Sequence, residues 1–470
     1  MHRHATRMDA IEIGQQIAQG KLTSREAVAQ SLARIDRLDG QLHAFVLRLD
    51  ERAMAMAAER DAEREAGRLR GPLHGVPVAV KDLFDIQGYR TGAGSLSYSG
   101  HRAETSATAV RLLEDAGAVI VGKTHTVEFA YGGWGTNSVL GTPWNPYDLD
   151  IHRAPGGSSS GSAVAVASGM VPLALVTDTG GSVRIPAAFC GLFGHKSTPG
   201  LIGRGGTRYL SPSHDTVGTL ARSVRDLRAV AEALAGPDAS DPLSSPHACD
   251  PFSSRAEEGL TSVRLATLDD PAFADLDDEV RQHFAEMLER LGSRFGPVER
   301  IAPPAPLTLM CLKAGRLMSA ESYANLSAIT EDSTTSVAPE IRGRINAGRD
   351  ISADEIAELR WFKREWQAAF LDAFAPFDLL VMPGMPILPP PIADIDQASL
   401  VLGHFGRYVN MLDLCAASVP IALSRRGLPI GLQLIGRPFA DARALSFART
   451  LEGAGLAAFR APDLHGLTPS

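Results

Sequence analysis

Residues 155–191 read PGGSSSGSAVAVASGMVPLALVTDTGGSVRIPAAFCG, a glycine and serine loop, a helical run of small residues and a second glycine-rich turn. Two serines follow glycine pairs: Ser158 comes after Gly156-Gly157, and Ser182 comes after Gly180-Gly181. A serine hydroxyl attacks a carbonyl well only when a base removes its proton. The base on offer is Lys81, which ends the apolar run of GVPVAVKD. Burial there disfavours the ammonium and favours the neutral amine that a base requires. The turn Thr179-Gly180-Gly181-Ser182 has the composition of an oxyanion hole, because residues without side chains let successive N–H groups face one oxygen.

Outward from this stretch, helices and strands alternate. Ile11, Ile13 and Ile17, then Val28, Leu32 and Ile35, recur at helical intervals and predict helices from about Met8 to Arg64, the second capped by Thr23 or Ser24 with Glu26 in support. Short β-rich runs follow at 76–80 (VPVAV) and 118–122 (AVIVG), with a helix between about Ala107 and Ala116. This alternation predicts an α/β fold with a largely parallel sheet covered on both faces. Residues 236–259, rich in Pro, Ser and Asp, read as a long exposed loop and a subdomain boundary. Beyond it the pattern predicts a strand near Val263–Thr267 and helices at about Asp277–Phe295 and Ala353–Phe374. PGMPILPPPI at 383–392 reads as an irregular strand-to-loop passage. LPIGLQLIG at 428–436 reads as a strand, and Asp441–Leu451 as a closing helix.

Composition narrows the function classes. The formal net charge of −8, with no long Lys/Arg run, argues against direct nucleic-acid binding. The most apolar stretch, Ala163 to Val176, is interrupted by Ser168, Gly169 and Pro172, and no signal-peptide pattern opens the chain, so neither membrane spanning nor export is expected. Cys190, Cys249, Cys311 and Cys415 form neither a CxxC pair nor a disulfide framework, which fits a cytoplasmic setting. The histidines include no HxxxH or HExxH pair, so no metal site is expected.

Other readings of the same residues are weaker. Gly157-Ser158-Ser159-Ser160-Gly161 satisfies GxSxG, with Ser159 as the nucleophile of an elbow, but a loop rather than a strand precedes it. A phosphate cradle at the following helix lacks the GK[ST] of a Walker motif. Asp178 and Arg184 are read as a polar brace for the Ser182 turn, and Cys190 as a small buried hydrophobe. His125 and His214 are read as packing or hydrogen-bonding groups.

Over nearly its whole length the sequence resembles the amidase signature family, through LHGVPVAVKD, GAVIVGKTHTVEFA, GTPWNP, the 155–191 stretch, DTVGTLARSVRDL and LPIGLQLIGRP. The resemblance implies one amidase domain over 1–470 with a large mixed central sheet covered by helices on both faces. Its parts would be N-terminal helices (1–70), a catalytic core (71–235), a variable pocket-forming part (236–410) and a C-terminal return to the core (411–470). It implies Ser182 as nucleophile, Ser158 as a bridging serine after a cis peptide bond, and Lys81 as base. Thr179, Gly180 and Gly181 would bind the oxyanion, Ala130 would contact substrate, and neither metal nor organic cofactor would be required. The implied activity is hydrolysis of a small-molecule amide through a seryl acyl-enzyme, with a homodimer left open.

The chain also departs from the family pattern. Ser160 stands where GGSSGGS has glycine, as in the allophanate hydrolase branch, and Val176 replaces the first glycine of GTDTGG. NMLDLCAASVP at 410–420 resembles allophanate hydrolases too, whereas DTGGSVRIPAAFCG follows general amidases. A ureido-amide hydrolase of the allophanate or biuret type is therefore one alternative. The other is the glutaminase subunit of a tRNA-dependent amidotransferase. Against it, Ile185 rather than Gln follows Arg184, and HKSTPGLIGRGG stands in place of KPTYGRVSR.

Overall fold

The computed structural model describes Ala5, residues 8–98, 102–244, Phe252 and 263–467. Their strands form one 11-stranded mixed sheet. In chain order these are β1 (Phe45–Arg48), β2 (Pro77–Lys81), β3 (Val119–Thr124), β4 (Leu173–Asp178), β5 (Phe193–Lys196), β6 (Thr216–Ala221), β7 (Leu265–Leu268), β8 (Val298–Ile301), β9 (Leu379–Pro383), β10 (Cys415–Leu423) and β11 (Pro429–Gly436). Their spatial order is β1-β3-β2-β4-β6-β5-β10-β11-β9-β7-β8. The expectation of a largely parallel sheet needs correction, because only four of the ten pairings are parallel: β2 with β3 and β4, and β7 with β8 and β9. Strands β6, β5, β10 and β11 run as successive antiparallel neighbours through the middle. Periodicity marks a buried strand but carries no direction, and the C-terminal hairpin returns to the centre of the sheet.

Thirteen helices accompany the strands among the described residues. In the first half these are α1 (Ala10–Ala18), α2 (Ser24–Leu42), α3 (Asp50–Glu65), α4 (Thr108–Asp115), α5 (Ser160–Ala167), α6 (Arg184–Phe189) and α7 (Val224–Leu234). The second half adds α8 (Asp278–Phe295), α9 (Leu307–Thr330), α10 (Pro339–Asn346), α11 (Ala353–Ala373), α12 (Val401–Met411) and α13 (Asp441–Gly453). Thr23 caps α2 in a complete capping box with Glu26, as its sequence predicts.

Side-chain alternation sorts the core into layers. Val78 and Val80 of β2 join Ile13, Val217, Leu227 and Leu445 in one cluster, beneath α1, α7 and α13. Ala79 joins Val28, Val164 and Val183 in another, beneath α2 and α5. Lys81 lies two residues beyond Ala79, so the two-residue period turns it toward the α5 side. A third cluster, containing Met310, Trp366, Phe405 and Tyr408, packs α9, α11 and α12 with residues of β7, β9, β10 and β11.

Several elements escape the sequence pattern. The helical reading of 8–64 passes over β1, a four-residue edge strand entered from α2 through His43 in the left-handed conformation (φ 51°). Residues 236–244 are irregular, as expected, while 245–251 and 253–259 of the expected loop lie outside the described residues, as does Cys249. Strands from both sides of that segment join the same sheet. Among the described residues no helix is long and apolar enough to cross a membrane.

Candidate active site

Three lysines are completely buried, and their partners distinguish them. Lys123 pairs with Asp82 at 2.6 Å, and Lys196 donates to the carbonyls of Ser197 and Leu414. Lys81 instead places Nζ 2.7 Å from Ser158 Oγ and 2.9 Å from Thr177 Oγ1. Burial pulls its pKa down to about 7 against the opposing charges of Asp178 and Asp215. A substantial neutral fraction near neutral pH follows.

Ser158 is held as firmly. The Gly157–Ser158 peptide bond is cis, and Ser158 O accepts from Val127 N (3.1 Å) and Thr126 Oγ1 (3.0 Å). Position 157 admits only glycine: a Cβ there would lie 2.6 Å from Gly135 N and 2.8 Å from Gly132 O. Ser159 Oγ donates to Ser182 O at 2.6 Å, so its hydroxyl ties the two serine loops together and is not free to attack. Ser160 begins α5 with a buried Oγ that has no partner among the described residues.

The Ser182 turn is built on Asp178 at the end of β4. Its carboxylate accepts from Gly181 N, Val183 N and Arg184 Nη2, each at 2.9 Å, and from Asn410 Nδ2 at 3.0 Å. Burial would raise this carboxyl, but Arg184, Lys196 and the backbone donors outweigh it and hold the group well below the usual carboxylate range. Arg184, itself fully buried, also donates to Gly406 O, Gln433 Oε1 and Asn410 Oδ1. The brace read from the sequence therefore extends to α12 and β11, a reach that spacing does not reveal.

One detail alters the expected oxyanion donors. Gly181 gives its N–H to Asp178, so this glycine serves the turn through its conformation (φ 124°). The N–H groups of Gly180 and Ser182 have no acceptor among the described residues, and both residues line the cavity. Thr179 donates its hydroxyl to Asp215 Oδ1 at 2.5 Å, and burial raises Asp215 to about 6. Ser182 is 7% exposed. Its Oγ forms no hydrogen bond with Ser158 Oγ in this conformation.

Ser182 opens into a cavity of about 390 Å³. One wall runs from Ala130 to Trp134 and leaves the turn Glu128–Ala130, where Phe129 and Ala130 both hold left-handed backbone conformations (φ 50° and 61°). Two such non-glycine residues in succession store strain, and the Glu128 carboxylate offsets it by accepting from Ser95 Oγ (2.6 Å) and Ala338 N (2.8 Å). Ala130 is thereby set against the cavity, where the sequence expects it. The opposite wall comes from α9, α10 and α12, through residues such as Met318, Ser319, Leu402 and Arg407 that sequence reading did not single out. The sequence reading places no helix over α9, α10 or α12 and finds no chemical motif there.

The remaining candidates form no hydrogen bond with Lys81, Ser158 or Ser182 among the described residues. His125 Nε2 contacts Leu140 O, and His214 Nδ1 contacts the hydroxyls of Ser211 and Ser213. Burial, then nearby cations, hold His214 well below the ordinary imidazole value. Cys190 is fully buried, and burial pushes its thiol up, the opposite of what a nucleophile requires. Among the described residues no group of three His, Cys, Asp or Glu side chains is placed to hold a metal ion.

Comparison with known proteins identifies the family. The Amidase family model matches residues 26–445, and the chain belongs to that family, the amidase signature enzymes. Similar curated proteins include a glutamyl-tRNA(Gln) amidotransferase subunit from Anaeromyxobacter dehalogenans, 36% identical and covering 95% of this chain and 96% of its own. The same subunit from Symbiobacterium thermophilum is 34% identical, covering 94% of this chain and 95% of its own. Among solved structures, the corresponding glutamyl-tRNA(Gln) amidotransferase subunit from Thermotoga maritima superposes with a TM-score of 0.83 at 29% identity, covering 99% of this chain and 100% of the other. A structure described as a vestigial protein complex that reveals the origins of an s-triazine catabolic enzyme superposes with a TM-score of 0.87 at 31% identity, covering 96% and 100%.

Proposed function

We propose that this protein hydrolyses the C–N bond of a small carboxylic amide through a seryl acyl-enzyme. The observation that carries the reading is the contact between a fully buried Lys81 and Ser158 Oγ, beside a cavity into which Ser182 opens. Neutral Lys81 accepts the Ser158 proton as Ser158 takes that of Ser182. Ser182 Oγ attacks the amide carbonyl, and the N–H groups of Gly180 and Ser182 receive the developing negative charge. The proton returns through Ser158 to the departing nitrogen, the C–N bond breaks, and ammonia or an amine leaves. Water then enters by the same relay and releases the carboxylate. The Ser158–Ser182 hydrogen bond closes as substrate fills the cavity, as catalytic hydrogen bonds often tighten on binding. No step calls on a metal or an organic cofactor.

The names of the curated relatives favour a second reading, the glutaminase subunit of an amidotransferase, in which the same residues release ammonia from glutamine within a larger complex. Ammonia release by the purified chain from aliphatic and aryl amides, glutamine, biuret and allophanate separates these readings, with Ser182→Ala as control. Turnover of simple amides by the isolated chain supports the free-standing hydrolase. Glutamine turnover that appears only with partner subunits supports the second reading, and activity unchanged in Ser182→Ala refutes both mechanisms.

A further inference from the structure

Among the described residues, the lining of the cavity beside Ser182 contains three arginines, Arg316, Arg344 and Arg407, and no carboxylate. Arg316 pairs with Glu355 at 2.8 Å. Arg344 donates to Tyr131 O at 2.7 Å and to Gln397 O, and so fastens the Ala130 turn to the loop before α12. Arg407 is placed differently. Its Nη1 has only Cys311, with the carbonyl at 3.2 Å and Sγ at 3.6 Å. Its Nε and Nη2 have no acceptor, and no carboxylate lies within ion-pair distance, among the described residues.

Three glycines leave room for this side chain beside the Ser182 turn. A Cβ at Gly180, next to the Ser182 turn, would lie 3.1 Å from Arg407 Cγ. Cβ atoms at Gly315 and Gly403 would lie 2.6 Å from Nη1 and 3.2 Å from Nε. The side chain is half-buried against the nucleophile turn, and its charge adds to the burial that lowers the pKa of Arg344. A half-buried cation beside a second cation, without a counter-ion, is electrostatically incomplete. A carboxylate completes it best, since a guanidinium offers two parallel N–H donors to two oxygens.

We propose that Arg407 recognises an anion, so that the preferred substrate is an amide bearing a carboxylate at the end remote from its scissile carbonyl. This rests on the amide-hydrolase reading of the site. The uncharged walls from Ala130 to Trp134 and from Met318 and Leu402 then hold the chain between the two ends.

The test compares ammonia release from succinamate, glutaramate and adipamate with release from methyl ketone amides of the same lengths, which match them in shape without the charge. The wild type is expected to favour at least one acid amide by about 100-fold in kcat/KM, and Arg407→Met to bring that ratio close to unity. Arg407→Lys, which keeps charge and bulk but loses the fork, is expected to fall between, and it serves if the Met variant does not fold. A wild-type ratio near unity, or a preference unchanged in both variants, overturns the inference while leaving the hydrolase reading intact. If the wild type hydrolyses none of these amides, calorimetric binding of glutarate decides. Binding that is lost in the Arg407 variants supports anion recognition without hydrolysis, and absence of binding to the wild type overturns it.

Discussion

Lys81 Nζ and Ser158 Oγ stand 2.7 Å apart in a site where the lysine is wholly buried and has no carboxylate in direct contact among the described residues. This pairing separates Lys81 from the other two buried lysines, which are held by a carboxylate or by carbonyls. A lysine so placed is set up to exchange a proton with a hydroxyl.

Its pH dependence follows in sign. Lys81 titrates at about 7, and below that value it is an ammonium unable to accept a proton. On a slow amide, where chemistry limits turnover, kcat is expected to rise with pH along an acidic limb near neutrality. Lys81→Arg is expected to be as inactive as Lys81→Ala, since guanidinium stays charged. A flat profile from pH 5 to about 8 would count against Lys81 as the base.

Asp215 offers a way to move that limb. Its charge raises the Lys81 value, so Asp215→Asn removes a stabiliser of the ammonium and is expected to shift the limb to lower pH. The pH–rate profile reads this directly. A shift to higher pH contradicts the assigned sign.

The serines are expected to separate cleanly. Ser182→Ala removes the proposed nucleophile and is expected to lower kcat by on the order of 10⁶. Ser159→Ala removes a hydrogen bond to Ser182 O and a longer one to Thr177 O, and is expected to cost about 1–3 kcal/mol of stability while retaining measurable turnover. Chemical denaturation together with ammonia release distinguishes the two, and the reverse ranking would restore Ser159 as nucleophile.

Arg184→Met is expected to destabilise strongly, by about 3–5 kcal/mol, because it leaves Asp178 buried without its partner. Thermal unfolding monitors this loss. A melting temperature within a degree or two of wild type would show that the brace contributes little.

Much of this site is legible in the sequence because its parts lie close together along the chain or end recognisable strands. Lys81 closes an apolar run, and Ser158 and Ser182 flank one small-residue helix and one strand. Asp178 and Arg184 lie six positions apart, and this local half of the brace is equally readable. Its other half is not, since Asn410 and Gln433 reach it only through the return of α12 and β11. The direction of the central strands was hidden for the same reason: a buried apolar run looks alike whichever way it points. The far wall of the cavity, including Arg407, comes from helices whose spacing reports packing but not chemistry. The Gly181 N–H turns to Asp178, a direction that composition does not encode.

Arg184 binds groups more than two hundred residues downstream, at Gly406, Asn410 and Gln433. During synthesis, Lys81, Ser158 and Ser182 all leave the ribosome well before those partners exist. A nascent or truncated chain ending ahead of Gly406 thus possesses all three proposed reacting groups yet lacks these partners of Arg184 beside the Ser182 turn. Folding of the Ser182 turn is thus tied to the C-terminal part of the chain, and a shortened product would carry the signature residues without the buried partners of Arg184.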